Sequence, residues 1–141
     1  MDNPSIGAFA IVENKGMIIL VRHTNGERKF SLPGGGLEVG ETAAHTIHRE
    51  VWEETGMHEL SFRHIGTFFL RKSAGVVFLF HAKENSIMIL DATKDAQEIA
   101  DIILADPNDL PIDIYPAQRK LIERWRDDDL GNRGHWPFDL L

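Results

Sequence analysis

The stretch Gly35-Gly36-Leu37-Glu38-Val39-Gly40-Glu41, followed after seven residues by Arg49-Glu50-Val51-Trp52-Glu53-Glu54-Thr55-Gly56-Met57, decides how this chain is read. Three of its carboxylates, Glu50, Glu53 and Glu54, recur at i, i+3 and i+4. On an α-helix of ~3.6 residues per turn those positions share one face. Like charges on one face repel, and a hard cation with oxygen ligands, magnesium or manganese, is the usual way a protein tolerates them. The helix is expected to start at Thr42, with Glu41 or Thr42 near its cap, and to stop at Gly56 after about fourteen residues. Ahead of it, Pro33-Gly34-Gly35-Gly36 reads as a tight turn, with glycine where backbone must come close to a metal or phosphate.

With Ile47 at zero on a wheel of ~100° per residue, Val51 falls near ~40°, Ala44 near ~60°, Glu54 near ~−20°, Glu50 near ~−60° and Glu53 near ~−120°. Glu54 therefore borders the stripe expected to be buried, which solubility alone does not require. The plainer alternative is a solvated helix surface with Arg49 paired to Glu53 at i, i+4. The glycines and Glu41, in register ahead of the helix, weigh against it. His45 and His48 point near ~160° and ~100°, away from the acids, and are read as exposed side chains and not as ligands.

Outward from this stretch, Ile6 to Glu13 and Met17 to His23 read as antiparallel strands joined by Asn14-Lys15-Gly16. Their apolar residues, like those of Gly75 to Ala82, are nearly continuous, as expected of a sheet covered on both faces. His23 to Leu32 reads as a polar, basic loop. Further strands are expected at Leu60 to Arg63, Ile65 to Lys72, Ala100 to Leu104 and, more weakly, Ile87 to Leu90. Asp106-Pro107-Asn108 should turn, and Pro116 to Arg126 should form a last helix. The tail after Asp127 is either flexible or packed on the rest.

A chain of 141 residues fits a single domain, 1–141, able to bury its own core. With no cysteine, disulfides, thiolate zinc and a cysteine nucleophile are excluded. No apolar run reaches the ~20 residues that cross a bilayer and the first residues lack a signal-peptide pattern, so a cytoplasmic protein without a membrane partner is expected. A net charge of −7 argues against long nucleic acid as a partner, while a small polyphosphate stays within reach if metal ions neutralise the site. A homodimer is left open.

Gly35, Glu41, Arg49, Glu50, Val51, Glu53, Glu54, Gly56 and Met57 match, without a departure over 23 residues, the signature box of the Nudix hydrolases, and the chain resembles that family. The likeness extends more loosely from the run near Ile6 to Glu98 and the turn at Leu110-Pro111. It implies an α/β fold, an α/β/α sandwich around a mixed sheet, and a MutT-like metal-dependent pyrophosphohydrolase that cleaves a nucleoside diphosphate from another moiety by attack of water on phosphorus. Glu50, Glu53, Glu54 and the Gly34 carbonyl would hold Mg2+ or Mn2+. Glu41 and Arg49 would form a supporting ion pair beside Gly35. The general base would be Glu53 or the later acid Glu98.

Substrate phosphates could meet Arg22, Arg28, Lys29, Arg71 or Lys72, and a base could stack on Phe30 or Phe69, although the plainer and preferred reading makes the aromatics core and the basic residues solvated surface charges. Relatives selective for ADP-ribose, dinucleoside polyphosphates or coenzyme A often carry a proline or tyrosine about sixteen residues past the box, where this chain has Lys72 and Ser73. Nucleoside triphosphates are accordingly preferred over ADP-ribose or another nucleotide sugar. A non-catalytic nucleotide sensor is the alternative from another class, and intact box acids argue against it. An RNA-end hydrolase is disfavoured by the acidic balance, except on short RNA.

Overall fold

The computed structural model describes residues 5–84, 98–128 and 138–140. Strand β1 (Ile6–Asn14) turns through Lys15 and Gly16, both at positive φ, into β2 (Met17–His23), as a two-residue hairpin of the primed type requires. Two short strands follow, β3 (Phe30–Ser31) and β4 (Gly34–Gly36), then helix α1 (Ala43–Thr55). Strands β5 (Arg63–Leu70), β6 (Gly75–Lys83) and β7 (Ile99–Ala105) lead to helix α2 (Pro116–Asp128) and the short strand β8 (Phe138–Leu140).

All the strands share one mixed sheet, in the order β3-β2-β1-β6-β5-β8, with β7 on β2. The central strand β1 runs parallel to β6 along its whole length. Its other edge is divided: β4 pairs with Gly7, Ala8 and Phe9, and β2 with Glu13 and Asn14. Side-chain alternation sorts the continuous apolar runs into two cores. Ala8, Ala10, Val12, Ile19 and Val21 join Ile47 and Val51 of α1. Ile11, Ile18, Leu20 and Phe68 join Leu121 and Ile122 of α2. One helix therefore covers each face, the α/β/α sandwich expected. Alanines at 8 and 10 let α1 lie close to the strand beside which its acids emerge.

Four local expectations need correction. The glycine tract is a strand and not only a turn, because β1 has an open edge there that takes up its backbone groups. The loop after His23 ends at Lys29, since Phe30 pairs with Arg22 and its N–H donates to the Asp113 carbonyl. Leu60 to Phe62 is irregular: the chain passes Glu59 at positive φ, and Leu60 is buried as core outside the ladder. The next strand ends at Leu70 instead of Lys72, where residues 71–74 turn. The tail returns to the sheet, β8 lying parallel to Thr67–Phe69. The strand expected at Ile87 to Leu90 lies outside the described residues. α1 and α2 form where expected, with Thr42 and Gly56 as the caps of α1.

Candidate active site

The acids of α1 emerge opposite β4, and their environments differ. Glu54 is 3% exposed. Its Oε1 accepts a 2.8 Å hydrogen bond from the Gly34 N–H, so helix and glycine strand are joined through this carboxylate. Its Oε2 lies 3.0 Å from His23 Nε2, at ion-pair distance, and is buried with no hydrogen-bond partner among the described residues. Burial pushes the Glu54 carboxyl above its ordinary pKa, and contact with that carboxylate raises the His23 imidazole. Glu50 is raised to about 7, first by burial and then by the charges of Glu54 and Glu53, against the opposing pull of Arg49.

Arg49 is the hub of the cluster. Its Nε and Nη2 donate to Glu41 at 2.7 and 2.9 Å, and its Nη1 donates to Glu50 at 2.8 Å and Glu53 at 3.3 Å. Nη2 also reaches the Gly36 carbonyl. Glu41 accepts further bonds from the Glu38 N–H and the Thr46 hydroxyl, and with Arg49 as the largest cause its carboxyl falls to about 2. The Glu41–Arg49 pair thus sits where support of the acids requires. Arg49→Ala is expected to lower turnover and divalent-metal affinity by about 10- to 100-fold, the usual effect of losing an outer-shell partner, with the thermal transition retained. Unchanged turnover and affinity in metal-titration assays would refute the supporting role.

Neighbouring glycines serve different ends. A Cβ on Gly34, whose φ is +151°, would lie 2.2 Å from the Ala8 carbonyl oxygen and 2.7 Å from Phe9 Cα, contacts that only backbone movement relieves. A Cβ on Gly35 would meet the carboxylate of Glu50 at 2.8 Å, the end of a side chain that can swing away. Gly34→Ala should therefore cost about 1–3 kcal/mol in denaturant titrations. Gly35→Ala should fold nearly normally and yet weaken metal binding, because it takes the seat of Glu50. Equal stability losses in the two variants would contradict this division.

As placed, Glu50 and Glu53 lean on Arg49, and among the described residues no three acidic or imidazole groups converge tightly enough to grip one ion. The donor set still suits a divalent cation: a buried acceptor oxygen at Glu54 without a hydrogen bond, a carboxylate seated on bare glycine backbone, and acids in excess of Arg49 and His23. Glu98 is exposed, and its carbonyl accepts from the N–H and hydroxyl of Thr24. Its charge is felt at both His23 and Glu54, so the later acid does border the box.

The substrate candidates scatter. Phe30 is 5% exposed and Arg22 lies over its ring at 4.3 Å, so it is core and offers no face for stacking. Arg22 is held by Asp101 and Asp113 at 3.1 and 3.0 Å, which removes it as a free phosphate partner. Lys29 faces Glu27, and Arg28 is exposed in the loop after β2. Phe69 is 38% exposed. Arg71 and Lys72 are exposed in the turn after β5, beside a cavity. His45 and His48 are exposed, as expected. The residue the sequence reading missed is His23. Ile19 and Val21 of β2 face α1, and the period of two carries His23 to that same side, a signal that was available.

Next to the glycine strand, a mainly apolar cavity of about 290 Å3 opens between the sheet and α2, lined by Ile6, Gly7, Phe9, Gly35, Gly36 and Leu121 among others. An acid-bearing helix is thus set against a glycine strand in an α/β fold, and the same strand lines a cavity on its other side.

Comparison with known proteins makes the assignment narrower. The NUDIX domain model matches residues 1–125. A protein of Bacillus subtilis described as a putative 8-oxo-dGTP diphosphatase is 31% identical over 121 residues, 86% of this chain and 79% of that protein. An ADP-ribose pyrophosphatase of Methanocaldococcus jannaschii is 39% identical over 57 residues, covering 39% of this chain and 34% of that protein. The crystal structure of a NUDIX hydrolase from Nitrosomonas europaea superposes with a TM-score of 0.80 at 20% identity, over 100% of this chain and 80% of that one. The chain belongs to the Nudix family. It is a hydrolase of pyrophosphate bonds, in a family that requires a divalent metal.

Proposed function

We propose that this enzyme hydrolyses a nucleoside triphosphate to the monophosphate and pyrophosphate, with Mg2+ or Mn2+ held by Glu50, Glu53, Glu54 and the Gly34 carbonyl. The observation that carries the reading is the buried Glu54 oxygen without a hydrogen bond, tied through its partner oxygen to Gly34 of the glycine strand, whose next two residues, Gly35 and Gly36, line an apolar cavity. When bound, the ion would supply Lewis-acid polarisation of the phosphates and of the attacking water. The chain's own parts do the rest. The cavity takes the nucleoside and keeps water from it, Arg49 and Glu41 fix the acids, and Glu53 or Glu98 accepts the proton of the water as its oxygen bonds to phosphorus and the anhydride P–O bond breaks. His23 positions Glu54.

The similarity to the putative 8-oxo-dGTP diphosphatase, over most of both chains, supports the triphosphate reading. Cleavage of ADP-ribose or another nucleotide sugar is the second reading, supported by the shorter match to an ADP-ribose pyrophosphatase. The intact set of box acids favours catalysis over sensing, and the net charge of −7 favours small nucleotides over long nucleic acid. Among the described residues no helix is long and apolar enough to cross a membrane, which suits work on the cytoplasmic nucleotide pool. We take residues 1–141 as one unit, since a single sheet runs from β1 to β8.

Purified protein with magnesium, tested against nucleoside triphosphates, ADP-ribose and dinucleoside polyphosphates, is expected to release monophosphate and pyrophosphate from the first group fastest. Release of ribose phosphate as the main product would move the assignment to the second reading. Tight binding without turnover would end both.

A further inference from the structure

His23 ends β2 on the side of the sheet that α1 covers, and its ring meets the most deeply buried of the three helix acids. The strand is pinned on either side of it. Arg22 pairs with Asp101 and His23 with Ile99, so Ala100 is an extra residue of β7 at this point, a β-bulge of the kind common beside active sites. One residue further on, the Thr24 N–H and hydroxyl both donate to the Glu98 carbonyl. The backbone is thus fixed, and the ring reaches Glu54 while staying partly open to solvent.

His23 Nε2 lies 3.0 Å from Glu54 Oε2, and that oxygen has no hydrogen-bond partner among the described residues. The other oxygen of the carboxylate is held by the Gly34 N–H, which sets the direction of Oε2. A nitrogen lone pair and a carboxylate oxygen so close repel unless a positive species serves both. A ring proton supplies one charge; a divalent ion supplies two and can take both atoms as ligands. Two donors of one octahedral ion, each about 2.1 Å from it and at right angles, stand about 3.0 Å apart. That is the separation found. The charges of Glu54, Glu98 and Glu50 all act on the ring, a field that draws a cation to this spot. Two protein donors at this corner suit an ion that fills its other positions with water and phosphate oxygens.

We propose that His23 Nε2 is a ligand of the divalent ion seated on Glu54, and that the site therefore selects a first-row transition ion, Mn2+ in the first place, over Mg2+. Mg2+ is a hard ion served by oxygen, whereas transition ions accept neutral imidazole. His23 then does more than position Glu54. The inference rests on the proposed function for one point only, that Glu54 holds an ion. Mg2+ binds through the oxygens alone, and more weakly.

The test uses the whole chain without nucleotide. Pulsed electron paramagnetic resonance of the Mn2+-loaded protein is expected to show the nitrogen coupling of a directly bound imidazole, shifted when the histidines carry 15N. The coupling should vanish in His23→Gln and persist in His45→Gln, whose ring lies on the exposed side of α1. Glutamine can still donate to Glu54 Oε2 but offers no imidazole nitrogen. By calorimetry, the preference for Mn2+ over Mg2+ should therefore fall in His23→Gln by at least about tenfold, the smaller effect of losing even an outer-shell partner. No coupling in the parent, coupling that survives His23→Gln, or equal weakening toward both ions overturns the proposal; the last would leave His23 as a positioning residue only. The coupling in the parent decides the matter even if the variant fails to fold. Nitrogen coupling in a protein that hydrolyses no nucleotide contradicts the proposed function alone, while hydrolysis by a protein whose bound Mn2+ shows no such coupling contradicts this inference alone.

Discussion

Glu54→Gln is expected to lower kcat by about 10^3-fold, with a thermal transition close to that of the parent. A Lewis-acid contribution of several kcal/mol, at 1.36 kcal/mol per factor of ten, sets that scale. The amide oxygen of glutamine can still accept the 2.8 Å bond from the Gly34 N–H, so the junction of α1 with β4 survives. What is lost is the charge on a buried oxygen that has no hydrogen-bond partner among the described residues. Glu53→Gln is the informative companion. If Glu53 is the general base, its loss should reach a similar size and the pH–rate profile should lose its acidic limb. If Glu98 is the base, Glu98→Gln should remove that limb instead. Full activity in both Glu53→Gln and Glu54→Gln would put the active site elsewhere.

Glu50→Gln should make the metal-free protein more stable while it impairs the enzyme. In the fold, burial and the neighbouring acids raise the Glu50 carboxyl from 4.5 to about 7, so the folded state holds its proton more tightly than the unfolded chain does. For an acid raised in this way, stability is highest below the unfolded value, falls as pH rises from about 4.5 through about 7, and is level above that. Glutamine carries no such pH dependence. In buffer with a chelator, the variant should exceed the parent by about 1–3 kcal/mol at pH 8 and by little at pH 4.5. Added magnesium should stabilise the parent at pH 8 and the variant far less. Denaturant titrations at the two pH values, with and without metal, read all of this, and a variant less stable than the parent at pH 8 in chelator would contradict it.

These effects trace to residues whose placement was legible in the sequence to different degrees. The i, i+3, i+4 acids, the Thr42 cap and the Gly56 stop are local features of one helix, governed by its period and end chemistry, and they stand where the sequence puts them. The burial of Glu54 followed from the wheel. Ala44, which the wheel puts beside Val51, is exposed, and Thr46 is buried instead, its hydroxyl donating to the Glu41 carboxylate and the Thr42 carbonyl. Pairings far apart in sequence were harder to read. That Gly34–Gly36 completes the edge of β1 depends on where β2 leaves that edge, and that Arg22 is neutralised by Asp101 and Asp113 depends on β7 and the loop before α2. Composition identified Phe30 as an aromatic in a basic loop, whereas its ladder with β2 makes it core.

The divided edge of β1 has a dynamic consequence. The Ala10 N–H donates to the Pro33 carbonyl and the Leu37 N–H to the Ile6 carbonyl, so the segment bearing the site's glycines is laced at both ends to the innermost strand. Its amides should exchange with deuterium as slowly as those of β6, unlike a surface loop that frays independently. A ligand arriving here meets a rigid anvil, and little of its affinity is spent on ordering the chain beneath it.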